Sequence, residues 1–174
     1  MRIDSGIYKG RVLQKNKYEH IRPTTDKVRQ ALFTKLQFFL PGVKVLDLFC
    51  GTGALGIEAL SRGASEVVFV DKDARSCQMT RQNLASMKIE AKVIKCDAQV
   101  FVEKCKDKFD LILLDPPYKS GLYEKIIPKL WNLLSDEGII VCEHDKGDTF
   151  NYQPFSVFDE KRYGNIMLTY LSKS

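Results

Sequence analysis

The stretch LDLFCGTGALGIEAL, residues 46–60, decides how this chain is read. It opens as a short apolar strand, turns through glycines and continues as a helix. Gly51, Gly53 and Gly56 match G-x-G-x-x-G, the spacing that places a dinucleotide pyrophosphate at a helix N-terminus. Asp47 argues against a pyrophosphate. A carboxylate four residues before the first glycine would be repelled by two phosphates, but would favour a ligand carrying an ammonium and a sulfonium, as S-adenosylmethionine does. Its structural alternative is a carboxylate bonded to loop amides. Gly56 is expected to serve helix packing against the sheet rather than phosphate.

Outward from this loop, strands alternate with helices. Lys44 to Phe49, Glu66 to Val70, Lys92 to Lys95, Asp110 to Leu114 and Ile139 to Cys142 read as strands. Helical patterns fill Ala54 to Gly63, Asp73 to Met87, Ala98 to Cys105 and Leu122 to Leu134, the last with a kink at Pro128. Continuous apolar strands separated by helices predict a parallel α/β sheet covered on both faces. Phe155 to Phe158 and Ile166 to Leu171 have no helix between them and predict an antiparallel hairpin at a sheet edge. In front, residues 2–18 suggest a small hairpin, and Thr24 or Thr25 caps a helix to Leu40, stopped by Pro41-Gly42. The 174 residues fit one domain, 1–174, with a basic extension over 1–23 and a core over 24–174.

The 44% hydrophobic and 28% charged composition is that of a globular protein. No apolar run approaches the ~20 residues of a membrane helix, and the opening residues lack a signal peptide's apolar core, so a cytoplasmic protein with no membrane partner is expected. Five scattered cysteines without a C-x-x-C pair, and two histidines outside ligand spacing, predict neither disulfides nor a metal. Of the net +5, residues 1–35 supply nine Lys/Arg against three Asp/Glu, and the rest is nearly balanced. That asymmetry points to a polyanion partner or to a solvated basic face.

Leu114-Asp115-Pro116-Pro117-Tyr118 settles the chemistry. Proline ends the fourth strand at the sheet's carboxyl edge, beside the glycine loop. Two prolines hold an extended backbone, which fixes the Asp115 side chain and the Pro116 carbonyl as two acceptors with the Tyr118 ring nearby. An exocyclic amine on a base is a poor nucleophile because its lone pair is delocalised. Two acceptors aimed at its hydrogens stabilise the charge that develops on attack, and the aromatic ring can stack on the base. Asp71, after the second strand, could accept from ribose hydroxyls or cap a helix. Asp97, after the third, could meet the adenine amine or likewise cap.

With these motifs in view, DLFCGTG and DPPY resemble the class I S-adenosylmethionine-dependent methyltransferases of exocyclic amines. RPTTDKVRQALF (22–33), DLFCGTGALGIEALSRGA (47–64) and the opening Ile7-Tyr8-Lys9-Gly10-Arg11 are similar to the bacterial 16S ribosomal RNA guanine-N2 methyltransferases. The resemblance implies a seven-stranded, mostly parallel, doubly wound sheet of order 3-2-1-4-5-7-6. It implies S-adenosylmethionine as cofactor and, as partner, 16S rRNA or the small ribosomal subunit, met by a monomer. It also implies that Asp115, Pro116, Pro117 and Tyr118 handle the target amine, and that Asp47, Phe49, Gly51, Thr52, Gly53, Asp71, Lys72, Asp97 and Ala98 hold the cofactor. Lys9, Arg11, Lys15 and Lys17, with Arg22, Thr24, Thr25 and Arg29, would meet RNA. D-P-P-Y also occurs in adenine-N6 enzymes, which remain the alternative; guanine rests on the family resemblance.

Overall fold

A computed structural model describes residues 1–14, 26–117 and 121–174. The elements run α1 (Asp26–Lys35), β1 (Lys44–Leu48), α2 (Ala54–Ser61), β2 (Glu66–Asp71), α3 (Ala74–Ser86), β3 (Lys92–Lys95), α4 (Ala98–Lys104), β4 (Phe109–Leu114), α5 (Leu122–Ile126), a 3₁₀ helix (Ile127–Leu133), β5 (Leu134–Asp145), β6 (Ser156–Tyr163) and β7 (Ile166–Ser172). The strands form one seven-stranded sheet of order β3-β2-β1-β4-β5-β7-β6. β1 to β5 are parallel and β7 is antiparallel to both neighbours. This is the doubly wound order expected. Alternate residues of each strand enter different cores. Val45, Phe69, Leu111 and Val141 pack with α1, α2 and α3, whereas Leu46, Val68, Ile112 and Cys142 pack with α4, α5 and the 3₁₀ helix. Among the described residues no helix is long and apolar enough to cross a membrane.

Boundaries differ from the sequence reading where local chemistry intervenes. The expected helix over 122–134 narrows to a 3₁₀ helix after Ile126, because Pro128 cannot donate back to Glu124. α1 stops at Lys35, and residues 36–40 continue as turns that still bury Leu36 and Leu40. The caps assigned to Thr24 and Thr25 lie outside the described residues. β5 is far longer than Ile139 to Cys142. Its register against β4 shifts between Leu134 and Ile139, and its polar end Glu143-His144-Asp145 runs on because β7 pairs there.

The described part of the front segment turns back on itself through an antiparallel bridge, Arg2 to Val12, with Leu13 N donating to Met1 O at 2.8 Å, Ile3 N to Arg11 O at 3.0 Å and Gly10 N to Ile3 O at 2.9 Å; residues 15–18 of the expected hairpin lie outside the described residues. Ile3 and Leu13 anchor it in the core. Its backbone is read by α2: the Asp4 and Ser5 amides donate to Glu58 at 2.8 and 3.2 Å, and Tyr8 N donates to Ser61 Oγ at 2.9 Å. Gly6, at φ +91°, approaches so closely that a Cβ there would fall 1.8 Å from the Ser61 carbonyl oxygen. Arg29 corrects an expectation. It was placed on the RNA-facing surface, yet it is 2% exposed, with Nε 3.2 Å from Asp4 and 3.8 Å from Glu58 and Nη2 donating to the Arg2 carbonyl at 2.8 Å. Burial next to two carboxylates makes it the tie between α1, α2 and the front segment.

Candidate active site

β1, β2, β3 and β4 end along one edge of the sheet, and each delivers an aspartate there or just beyond: Asp47, Asp71, Asp97 and Asp115. The chain leaves β1 through Phe49, whose φ of 68° lies in the left-handed region. Phe49 N and Cys50 N both donate to Val70 O, at 2.9 and 3.0 Å, which folds the loop over the end of β2. All three fingerprint glycines have committed amides. Gly51 N donates to Asp71 Oδ2 at 3.0 Å, Gly53 N to Cys50 O at 2.8 Å and Gly56 N to Asp47 Oδ2 at 3.0 Å. No cradle of glycine N–H groups is left for a pyrophosphate. A Cβ on Gly56 would sit 2.3 Å from Phe69 Cε1, so this glycine serves helix-on-sheet packing as expected.

The loop is held from α3 by residues that the sequence reading passed over. Thr80 Oγ1 donates to Gly51 O at 2.9 Å and Asn83 Nδ2 to Thr52 O at 2.9 Å. Both side chains are buried, at 0% and 2% exposed. Their signal was polar residues at the helix spacing of the buried Cys77 and Leu84. Gly53 adopts φ +83°, and a Cβ on it would meet Thr80 Cγ2 at 2.8 Å.

Asp71 is half-buried and accepts from two amides, Gly51 and Asp73; the cap of α3 is Asp73, not Asp71. Asp97 does cap α4, with Oδ1 accepting from Gln99 and Val100, which leaves Oδ2 for a ligand. Lys72 is exposed just beyond β2, Ala98 is buried at the start of α4, and Thr52 is buried in the loop. Asp47 is 2% exposed and takes one hydrogen bond, from Gly56, as its structural alternative supposed. Burial pushes its carboxyl up to about 7, the Gly56 amide pulls it down and the charge of Asp71 raises it again. A row of carboxylates with one poised to ionise suits a cationic ligand bearing ribose hydroxyls, so the residues present fit S-adenosylmethionine.

The raised carboxyl has a measurable consequence. The folded state keeps a proton that the unfolded chain releases near 3.8. Asp47 therefore supports folding fully only below that value, and its contribution falls as pH rises to about 7. Asp47→Asn keeps an acceptor for Gly56 and is expected to gain melting temperature over the parent across this window, with the difference levelling above it. A constant difference from pH 4 to pH 8 in melting curves would rule this out.

At the end of β4, Asp115 and Pro116 are half-buried and Pro117 is exposed; Tyr118 lies outside the described residues. Prolines at 116 and 117 offer no amide, so the β4–β5 ladder cannot continue by the usual exchange. Tyr123 closes the gap. Its buried hydroxyl sits between the carbonyls of Leu114, at 3.0 Å, and Glu143, its single proton serving both. Burial, with Cys142, Asp115 and Glu143 among the nearby groups, drives the phenol well above its ordinary value, so it stays a donor. Phe150 packs on the Tyr123 ring with centroids 4.5 Å apart. The sequence reading missed Tyr123 because it is not one of the apolar positions read on the expected 122–134 helix and its partners are backbone carbonyls distant in the chain. Among the described residues no group of three or more His, Cys, Asp or Glu could hold a metal ion.

Sheet order, committed glycine amides and the aspartate row with D-P-P together define a class I S-adenosylmethionine-dependent methyltransferase. The chain belongs to the family described as "Conserved hypothetical protein 95", whose model matches residues 1–172. It is 39% identical over 153 residues to the Bacillus subtilis protein YlbH, provisionally described as an rRNA methyltransferase, covering 84% of this chain and 83% of that one. It is 37% identical over 144 residues to Ribosomal RNA small subunit methyltransferase D of Escherichia coli K12, covering 82% and 71%. The solved structure of Escherichia coli yhhF superposes with a TM-score of 0.88 at 33% identity, over 100% of this chain and 98% of that one.

Proposed function

We propose that this chain methylates the exocyclic N2 amine of a guanine in 16S rRNA, presented by the small ribosomal subunit or an assembly form of it in the cytoplasm. The observation that carries the chemistry is the placement of Asp115 and Pro116 at the end of β4, one strand from the glycine loop. The substrate class is supported by the relatives named for rRNA methylation.

The bound cofactor supplies an already activated methyl group. Asp47 and the loop 49–53 would hold its cationic amino-acid part, Asp71 its ribose and Asp97 the adenine end. Asp115 and the Pro116 carbonyl accept the two hydrogens of the target amine and hold its lone pair toward the methyl group. That arrangement would stabilise the charge gained by nitrogen as the N–C bond forms and the S–C bond breaks; the thioether is the leaving group, the methylated nitrogen then gives up one hydrogen as a proton to solvent, and fixed geometry supplies much of the acceleration. Tyr118 would stack on the base, which must be unpaired or flipped out to arrive.

The test is to incubate the protein with labelled S-adenosylmethionine and unmodified small subunits or naked rRNA, digest to nucleosides and identify the product. N2-methylguanosine is expected. N6-methyladenosine would overturn the base assignment and keep the amine chemistry; absence of label in RNA would overturn the substrate.

RNA contact is assigned to the front segment. Lys9 and Arg11 are exposed, and Arg11 Nη2 donates to the Ser86 carbonyl at 2.7 Å, which fixes the guanidinium above α3. Lys15, Lys17, Arg22, Thr24 and Thr25 lie outside the described residues. Replacing Lys9, Arg11, Lys15 and Lys17 by glutamine is expected to weaken RNA binding on the order of tenfold or more at moderate salt and to flatten its salt dependence, as loss of phosphate contacts does. Cofactor affinity by calorimetry should not move. Equal RNA binding at low and moderate salt would remove these side chains from the interface.

A further inference from the structure

D-P-P selects an amine but not a base, and the ring atoms beside the amine differ. Adenine N6 and cytosine N4 are flanked by a ring nitrogen that only accepts. Guanine N2 is flanked on one side by N1–H, a donor. An acceptor placed next to Asp115 therefore pairs with guanine and repels the other two.

The ends of β4 and β5 put such an acceptor close by. Leu113 pairs with Val141 and Leu114 with Cys142, and the pairing stops there. Asp115 and Glu143 are the next residues, and the Tyr123 hydroxyl, set between the Leu114 and Glu143 carbonyls, lies within electrostatic reach of both acids. Val141 and Glu143 alternate with Cys142 along β5, so Glu143 shares the sheet face of Val141. Glu143 is 4% exposed. Its backbone is fixed on both sides, by the Tyr123 hydroxyl at its carbonyl and by pairing with Leu168 of β7. Burying a carboxylate beside another is unfavourable, and methyl transfer as derived above makes no use of it.

We infer that Glu143 reads the target base, its carboxylate accepting guanine N1–H while Asp115 and Pro116 hold N2. The inference rests on the guanine-N2 reading and supplies the residue-level basis for guanine that the D-P-P-Y motif lacks.

The experiment compares small subunits reconstituted with guanine or 2-aminopurine at the mapped target. 2-Aminopurine keeps the amine and lacks N1–H. The parent protein is expected to prefer guanine in kcat/KM. Glu143→Gln can turn an N–H toward the bare ring nitrogen, so the preference should fall by about tenfold or more, as expected when a polar recognition partner is exchanged. A preference unchanged within about twofold in a folded Glu143→Gln protein overturns the inference, and N2-methylguanosine from the parent would leave the guanine reading standing. If Glu143→Gln does not fold, Glu143→Asp decides: it retracts the carboxylate by one methylene, and guanine kcat/KM should drop about tenfold with the preference retained. No drop overturns the role. A parent that makes no N2-methylguanosine overturns the underlying reading, whatever the variants do.

Discussion

Asp115→Ala is expected to lose roughly 10²–10³-fold in kcat while binding S-adenosylmethionine as tightly as the parent, the range seen when one preorganised group facing developing charge is removed. The split follows from position. Asp115 lies beyond β4, whereas the cofactor's amino-acid and ribose contacts are assigned to the ends of β1 and β2, where Asp47, Asp71, Thr80 and Asn83 order the glycine loop. Leu114 is the last residue of the strand and its carbonyl is held by the Tyr123 hydroxyl, a tie that the substitution leaves in place. Single-turnover methylation with saturating cofactor, beside calorimetry, reads the two quantities separately. A rate within about threefold of the parent would take Asp115 out of the reaction.

The second large effect is structural. Arg29→Met should destabilise the protein by roughly 3 kcal/mol, because removing one partner of a buried ion group strands the other. Glu58, at 1% exposure, would keep only Arg62 at 2.9 Å and the two amides of the front segment. The third carboxylate near Arg29, Asp26, is 68% exposed and contributes little. Thermal melting should fall by several degrees, and limited proteolysis should open the front segment before the core. If the loss is charge stranding, Arg29→Met with Glu58→Gln will be less destabilised than the sum of the single changes. Additive losses would refute that account.

These two residues mark what the sequence made legible. Asp115 was visible because D-P-P-Y is a local pattern: two prolines, an acid and a strand end are adjacent in the chain and need no partner to be understood. The glycine loop and β1 to β4 were visible for the same reason, as short apolar runs stopped by glycine or aspartate. Arg29 was misplaced because a basic residue in a basic segment reads as surface, and only the fold brings Asp4 and Glu58 to it. The end of β5 was hidden because Glu143, His144 and Asp145 look like a loop until β7 pairs with them. Thr80, Asn83 and Tyr123 act through backbone carbonyls; the helix spacing of Thr80 and Asn83 with Cys77 and Leu84 marks them as inward-facing but does not say which carbonyls they hold.

The strand order also governs how the molecule is assembled. β7 follows β6 in the chain, yet it occupies the place between β6 and β5. A nascent chain can complete β1 to β5 and the helices around them while the outer edge of β5 still has no neighbour. That edge includes Ile140, Val141 and Cys142, all buried once the sheet is whole. Such an unpaired apolar edge invites pairing with another chain. Synthesis that stalls within the β6–β7 turn would leave a species with most of its cofactor loop formed and its sheet open on one side. Chaperone dependence and aggregation of this protein should therefore concentrate in the short interval before Ile166–Ser172 slots in.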